Sequence, residues 1–288
     1  MLTKEQFYEK IASGVRFLDG ATGSNLRKAG MPKEACTEQW VLAHPEVLVA
    51  LQRQYAAAGS QILYAPTFQA QPIALEQIGY EKHTEAINAQ LVALSRSAAP
   101  GALIAGDITT LAAFCESWNP ENFDLLVENY RRQIRGLIDG GADLLVAETL
   151  MYPLEAEAIF TAAELEQAGA VMYSFTMQAD GSLYSGADAA PVLQELESAG
   201  AAAVGFNCVA ADMMTPYLVT KLRRFVKGAL ICKPNAGMPV IDPNGIAQYS
   251  MSTYDFAKIM AQCAENGATL LGGCCGTDPS YIQAIAGK

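Results

Sequence analysis

Apolar runs of four to eight residues alternate along the chain with longer segments whose apolar residues return every three or four positions. Four of the runs share a layout in which a small residue pair with glycine precedes aliphatic residues and a polar or reactive end: "AGSQILYAPTF", "GGADLLVAETL", "AGAAAVGFNC" and "NGATLLGGCC". None alternates apolar with polar positions, which is the pattern of strands covered on both faces, as in a parallel sheet. Strands are expected over 15–19, 62–67, 103–108, 143–149, 171–177, 203–208, 230–235 and 269–274. The segments between them, such as "PEVLVALQRQYAAAG" and "TYDFAKIMAQCAENG", have helical spacing and stop at glycine. Eight strand–helix units predict an α/β fold, a (β/α)8 TIM barrel, with residues 1–288 as one domain. A doubly wound open sheet is the alternative, but the glycines of "LDGATGSNL" lack the third glycine of a dinucleotide-binding turn. The longest irregular stretch, "NAGMPVIDPNGIAQYSM", follows the seventh strand on the side where barrel enzymes bind substrates.

Composition narrows the function classes. Of 288 residues, 51% are hydrophobic and 17% charged, and the formal net charge is −11 with basic residues scattered, so a nucleic-acid partner has no electrostatic footprint. No apolar run reaches the roughly 18 residues of a membrane span, and the amino terminus "MLTKEQFYEK" lacks a secretory apolar core. A cytoplasmic location without a membrane partner is expected. Seven cysteines, an odd number without regular spacing, suit a reducing compartment in which thiols are free for metal or redox chemistry. The two histidines, His44 and His83, fall in helical segments away from the strand ends, so a hydrolytic triad has no candidate base.

In a parallel barrel the carboxyl ends of all strands open on one mouth. Asp19, Thr67, Asp107, Glu148, Cys208, Asn235, Cys274 and Cys275 lie at or beside those ends. Neighbouring residues of a regular strand point to opposite faces, so Cys274 and Cys275 can share a target only where the pleat stops. Gly272, Gly273 and Gly276 are expected to supply the backbone freedom. Three thiolates, with Cys208 as the third, select Zn2+ among the common cellular ions and leave one tetrahedral position open. A thiol bound there loses its proton, and a site rich in sulfur suits alkyl transfer better than hydrolysis. Asp19 and Glu148 are placed to receive an α-amino group. The same residues also admit plainer readings: small buried hydrophobes or a strained Cys274–Cys275 disulfide for the cysteines, and helix-capping or solvated carboxylates for the acids.

The segments "FLDGATGSNL", "GADLLVAET", "GFNC", "KPNAGMP" and "GGCCGTDP" run in order over nearly the whole chain and resemble the zinc-dependent homocysteine S-methyltransferase family. Within it, "PNAGMPV" and "YDFA" are most similar to the homocysteine-binding module of cobalamin-dependent methionine synthase. The resemblance implies Zn2+ held by Cys208, Cys274 and Cys275, with the sulfur of homocysteine in the remaining position and Asn235 near the metal as a ligand in the absence of substrate. It places Asp19 and Glu148 at the homocysteine amino group, with Gly20 and Thr149 beside them. The implied reaction is methyl transfer to homocysteine, giving methionine. The folate- and cobalamin-binding domains of full-length methionine synthases are not among these 288 residues, so the expected donor is a methylcorrinoid on a separate protein or a small sulfonium or quaternary ammonium compound. The chain departs from the family at the mouth: Pro66 stands in "APTF" where asparagine is common, "GDITTL" lacks the usual Gly-Pro, and "VAAD" follows Cys208. These departures keep two other readings open, a non-catalytic zinc- and thiol-binding partner of a corrinoid protein and a methyltransferase for another small thiol.

Overall fold

The computed structural model describes residues 1–12, 14–243 and 247–287. Its strands are β1 (Arg16–Phe17), β2 (Ile62–Tyr64), β3 (Leu103–Thr109), β4 (Leu144–Leu150), β5 (Val171–Phe175), β6 (Ala203–Ala210), β7 (Ala229–Asn235), a hairpin of β8 (Val240–Ile241) and β9 (Ala247–Gln248), and β10 (Leu270–Leu271). All but the hairpin pair form one parallel sheet in the order β1-β10-β7-β6-β5-β4-β3-β2. Helices follow each of these strands, which makes the expected (β/α)8 barrel. The seam between β1 and β2 has no regular ladder. Gln61 N donates to Phe17 O at 2.8 Å, the Ser60 hydroxyl donates to Leu18 O at 3.0 Å, and Tyr64 N donates to Asp19 Oδ2 at 2.8 Å. A carboxylate expected at the site thus also fastens the barrel.

Several strands are shorter than expected, β10 most of all. Beyond Leu271 the chain still bonds both neighbours, with Gly272 N donating to Cys232 O, Gly273 N to Asp19 O and Cys274 N to Pro234 O, before it turns at Cys275. The cysteine pair therefore sits where the strand frays. The hairpin gives short pairing to the loop expected to be irregular, whose residues 244–246 lie outside the described part of the chain.

The barrel interior is built in layers. Leu18, Ile62, Ala105, Leu144, Val146, Met172, Ala203, Ile231 and Leu270 fill the lower part. Helix Lys4–Ile11 closes the amino-terminal end: Leu2 N donates to Asp143 O at 2.6 Å, Ala170 N donates to Leu2 O at 2.8 Å, and Phe7 joins the interior cluster. Because side chains repeat every second residue along a strand, the next inward positions after Ala105, Val146 and Ile231 are Asp107, Glu148 and Lys233. All three are buried, so the interior changes from apolar to charged just below the mouth. The outward faces of the strands pack on the helix ring through a second cluster that includes Leu63, Ile104, Leu145, Tyr173, Val204 and Leu230.

Helix packing sets a local limit at Gly136, within helix Phe123–Asp139, where an added Cβ would lie 2.5 Å from Glu85 O of helix Thr84–Ala98. Glycine to alanine inside a helix normally stabilises by about 1 kcal/mol. Here Gly136→Ala is expected to destabilise by roughly 1–3 kcal/mol, the scale of overpacking, as read from the midpoint of urea denaturation.

Candidate functional site

Two strands break their register on arrival at the mouth. In β6 the pairing with β7 shifts between Asn207 and Ala210, and Cys208 takes φ +58°. In β4 the pairing with β5 shifts between Ala147 and Leu150, and Thr149 takes φ +59°. Such bulges re-aim side chains, and a non-glycine residue at positive φ persists only where its surroundings hold it. Asn207 supplies that hold: its Oδ1 accepts from Thr149 N at 2.7 Å and from the Ser174 hydroxyl at 2.9 Å, and its Nδ2 donates to Thr149 Oγ1 at 2.7 Å. The same Nδ2 lies 3.9 Å from Cys274 Sγ. Sequence reasoning did not single out Asn207; its only signal was its place beside the cysteine in "GFNC".

The two adjacent cysteines reach one centre by a route different from the expected one. Gly276, at φ +83°, makes the turn, whereas Gly272 and Gly273 do not adopt positive φ. They are needed for close approach instead, since a Cβ would fall 2.8 Å from Asp19 O at Gly272 and 2.5 Å from Thr277 Oγ1 at Gly273. The Thr277 hydroxyl donates to Cys274 O at 2.7 Å and Ala236 N donates to Cys275 O at 2.9 Å, which pins the turn against β7. The Sγ atoms of Cys208, Cys274 and Cys275 lie within 4.8 Å of one another, with Cys208 Sγ to Cys275 Sγ at 3.9 Å. All cysteines among the described residues are free, so the disulfide reading does not hold. Tyr249, which follows the hairpin, covers the turn: its ring lies so close to Gly276 that an added Cβ would be 2.3 Å from Cγ. Its hydroxyl is one of the groups that lower the Cys275 thiol.

The donor set fits a metal ion. Hydrogen bonding with the Cys208 and Cys274 thiols holds Cys275 well below the ordinary thiol range, and hydrogen bonding with Cys274 and Cys275 pushes Cys208 far above it. Three sulfurs at this spacing cannot all be thiolates without a shared cation. Asn235 is buried beside them, with Nδ2 donating to Cys208 O at 3.0 Å and Oδ1 left without a hydrogen-bond partner, a free oxygen next to the sulfurs.

Beneath the sulfurs lies a charged layer. Asp19 and Glu148 are each pushed up to about 7 by burial, against the pull of Lys233. Lys233 Nζ lies 3.3 Å from Glu148 Oε2 and 3.7 Å from Asp19 Oδ1, with the Tyr64 ring centroid 4.7 Å away. Burial alone would lower the lysine, but Glu148 and Asp19 outweigh it and raise it. The expected pair of acids is thus brought together, and the lysine between them was not expected. Gly20 serves packing: a Cβ there would meet Tyr55 Oη at 2.6 Å and Thr277 Oγ1 at 2.8 Å. Thr149 is partly exposed. The loop in "GDITTL" is held by Glu155, which accepts from the Thr110 hydroxyl and Leu111 N through Oε1 and from Met151 N and Tyr152 N through Oε2. One buried carboxylate therefore joins the loops after β3 and β4. His44 and His83 are exposed and stand apart from this constellation.

A parallel barrel with three convergent cysteines over buried acids at its carboxyl-terminal mouth defines a class of barrels whose mouth is lined by thiols spaced to hold a metal ion. Residues 16–288 match the homocysteine S-methyltransferase family model, and the chain belongs to that family. Methionine synthase of Mycobacterium leprae is 26% identical over 302 residues, which cover 96% of this chain and 24% of that protein. The chain thus spans about a quarter of the length of that relative. Among solved structures, the oxidized form of the homocysteine methyltransferase MmuM from Escherichia coli is 25% identical with a TM-score of 0.81, covering 95% of each chain. The metallated form of MmuM shares the fold, with a TM-score of 0.82 at 24% identity over 98% of this chain and 99% of that one.

Cys275→Ala is expected to abolish stoichiometric metal uptake, while Cys115→Ala, remote from the cluster, leaves it intact. Tyr249→Phe is expected to lower metal affinity about tenfold, the scale of losing a hydrogen bond to a ligand. Competition against a chromogenic chelator measures all three.

Proposed function

We propose that the protein methylates the thiol of homocysteine to give methionine, with Zn2+ held by Cys208, Cys274 and Cys275. The observation that carries this reading is the approach of three Sγ atoms to within 4.8 Å of one another above the Asp19–Glu148 pair. Soft sulfur donors favour zinc, and Asn235, whose Oδ1 has no hydrogen-bond partner, would be the further residue able to hold the ion before an acceptor arrives. The ion would supply the Lewis acidity that keeps an acceptor thiol deprotonated at neutral pH, where a free thiol is only a few per cent ionised. The chain's own residues do the rest. Glu148 and Asp19 receive the acceptor's ammonium, Thr149 and Asn207 keep Cys208 and the β4 end in register, and the buried surroundings limit water around the sulfur. The acceptor's proton leaves to solvent on binding, so no further base is required. The sulfur then forms its bond to the donor's methyl carbon as the methyl–donor bond breaks, with that electron pair remaining on the donor.

The donor we favour is a methylcorrinoid on a separate protein. Tyr184, Met213, Met238, Val240 and Ile241 are exposed on the loops that leave β5, β6 and β7, an apolar rim of the kind that receives a macromolecule. A small sulfonium or quaternary amine would leave this rim unused. No helix among the described residues is long and apolar enough to cross a membrane. Free thiols throughout suit a reducing cytoplasm.

Metal-replete protein incubated with homocysteine and, separately, a protein-bound methylcorrinoid, S-methylmethionine or betaine is expected to yield methionine with the corrinoid. Chelation or Cys208→Ala should reduce the yield to background. Methionine formed equally well by metal-free protein would defeat the zinc mechanism, and no methionine with any donor would favour a non-catalytic thiol-binding role. Faster methylation of a different thiol in competition would reassign the acceptor.

A further inference from the structure

Lys233 is 3% exposed and projects from β7 into the charged layer. Its Nζ faces Glu148 Oε2 at 3.3 Å and Asp19 Oδ1 at 3.7 Å, and the Tyr64 ring flanks it at 4.7 Å. Asp107, also buried, adds a third carboxyl to the layer, and its Oδ1 has no hydrogen-bond partner. Neither Asp19 Oδ1 nor Asp107 Oδ1 accepts a hydrogen bond within the protein, and no ion pair of Lys233 reaches Asp107, so the layer has acceptor capacity left over after its own lysine is counted. One lysine against three carboxyls leaves room for one more cation, and the layer lies immediately below the three sulfurs.

We infer that Lys233 is a positioning residue for the acceptor: its ammonium gathers the Glu148 and Asp19 carboxyls about one point below the mouth, and through that pair it sets the preference for a thiol that carries its own α-ammonium. This inference rests on the reading of the site as a homocysteine site. Without Lys233, buried carboxyls crowded together retain no fixed counter-charge, and burial then favours their neutral forms. Neutral carboxyls attract an incoming ammonium weakly, whereas the sulfur end of the acceptor is recognised elsewhere and is untouched. Lys233 therefore acts on one end of the acceptor only.

The test is calorimetric binding of L-homocysteine and of γ-mercaptobutyrate, the same thiol acid without the amino group, to metal-replete protein. The variants are Lys233→Met, Glu148→Gln and the two combined, each checked for metal content and melting temperature. Wild type is expected to prefer homocysteine by about tenfold or more, the scale of a charge-assisted hydrogen bond. Lys233→Met should bring that preference near unity with γ-mercaptobutyrate affinity unchanged within about twofold, and should have no added effect on the preference in the Glu148→Gln background. If the single variant does not fold, the double variant, in which one charge of each sign is removed, is compared with Glu148→Gln alone, and equal preferences are expected. Retention of the wild-type preference by Lys233→Met, equal weakening of both thiols, or a further loss of preference in the double variant would overturn the inference. Binding of neither thiol by the wild type would overturn the homocysteine reading itself, and this inference with it.

Discussion

Two residues held at positive φ, Thr149 and Cys208, determine what the mouth of the barrel can do. A β-branched residue rarely adopts this conformation, and each such position costs about 1–3 kcal/mol unless its neighbours over-determine it. Asn207 meets that requirement with one side chain, bonding both the backbone and the hydroxyl of Thr149 and also reaching Ser174. Because β4 and β6 each slip register here, the residues that follow are freed from the pleat. Cys208 can then turn toward the cysteines after β10, across the β7 strand that lies between them. The strain and the cluster are two aspects of one local arrangement.

Charge organises the space that this arrangement creates. Three thiols lie above three buried carboxyls, and the lysine of the layer, Lys233, pairs with two of the carboxyls. In a medium of low dielectric such groups cannot all ionise together. The arrangement asks for two further cations, one at the sulfurs and one at the acids. On the proposed reading a metal ion answers the first, and an acceptor with a thiol at one end and an ammonium at the other answers the second while it joins the two clusters. That pairing explains why a sulfur-rich metal site and an acid pair stand one above the other, with Asn207 between Thr149 and Cys274.

Most of the barrel strands were legible because they are buried on both faces and so read as largely aliphatic runs, whereas β1, Arg16–Phe17, is only half-buried. Their ends were not, because pairing there depends on bulges and on partners distant in sequence. The cysteines could be assembled from strand order alone: β6 and β10 flank β7, and a barrel curves them together. How Cys274 and Cys275 turn to one side was only partly legible. Glycine was rightly implicated, but Gly272 and Gly273 act by admitting neighbours rather than by adopting positive φ. Lys233 escaped notice because a lysine in "KPN" reads as the polar end of a strand, and its burial follows from acids contributed by β4 and the end of β1. Tyr249 and Glu155 escaped for the same reason, since each is defined by a contact far along the chain.

The barrel fixes one part of the site and leaves another open. A closely similar fold makes up nearly the whole of MmuM, and a related sequence makes up a quarter of a mycobacterial methionine synthase. A barrel used in such different settings does not by itself define the donor. The sulfurs and the acids belong to strand ends, where the bonds of Asn207 and Thr277 and the buried ion pairs of Lys233 constrain them, whereas the loops that leave β5, β6 and β7 are free to vary. In this chain those loops expose apolar side chains, and the loops after β3 and β4 are tied down by Glu155. One side of the mouth is therefore fixed and the other presents an adhesive surface. On the proposed reading the acceptor is read by the strand ends and the donor by the loops, so a change in the loops can alter the donor without disturbing the cysteine cluster of this chain.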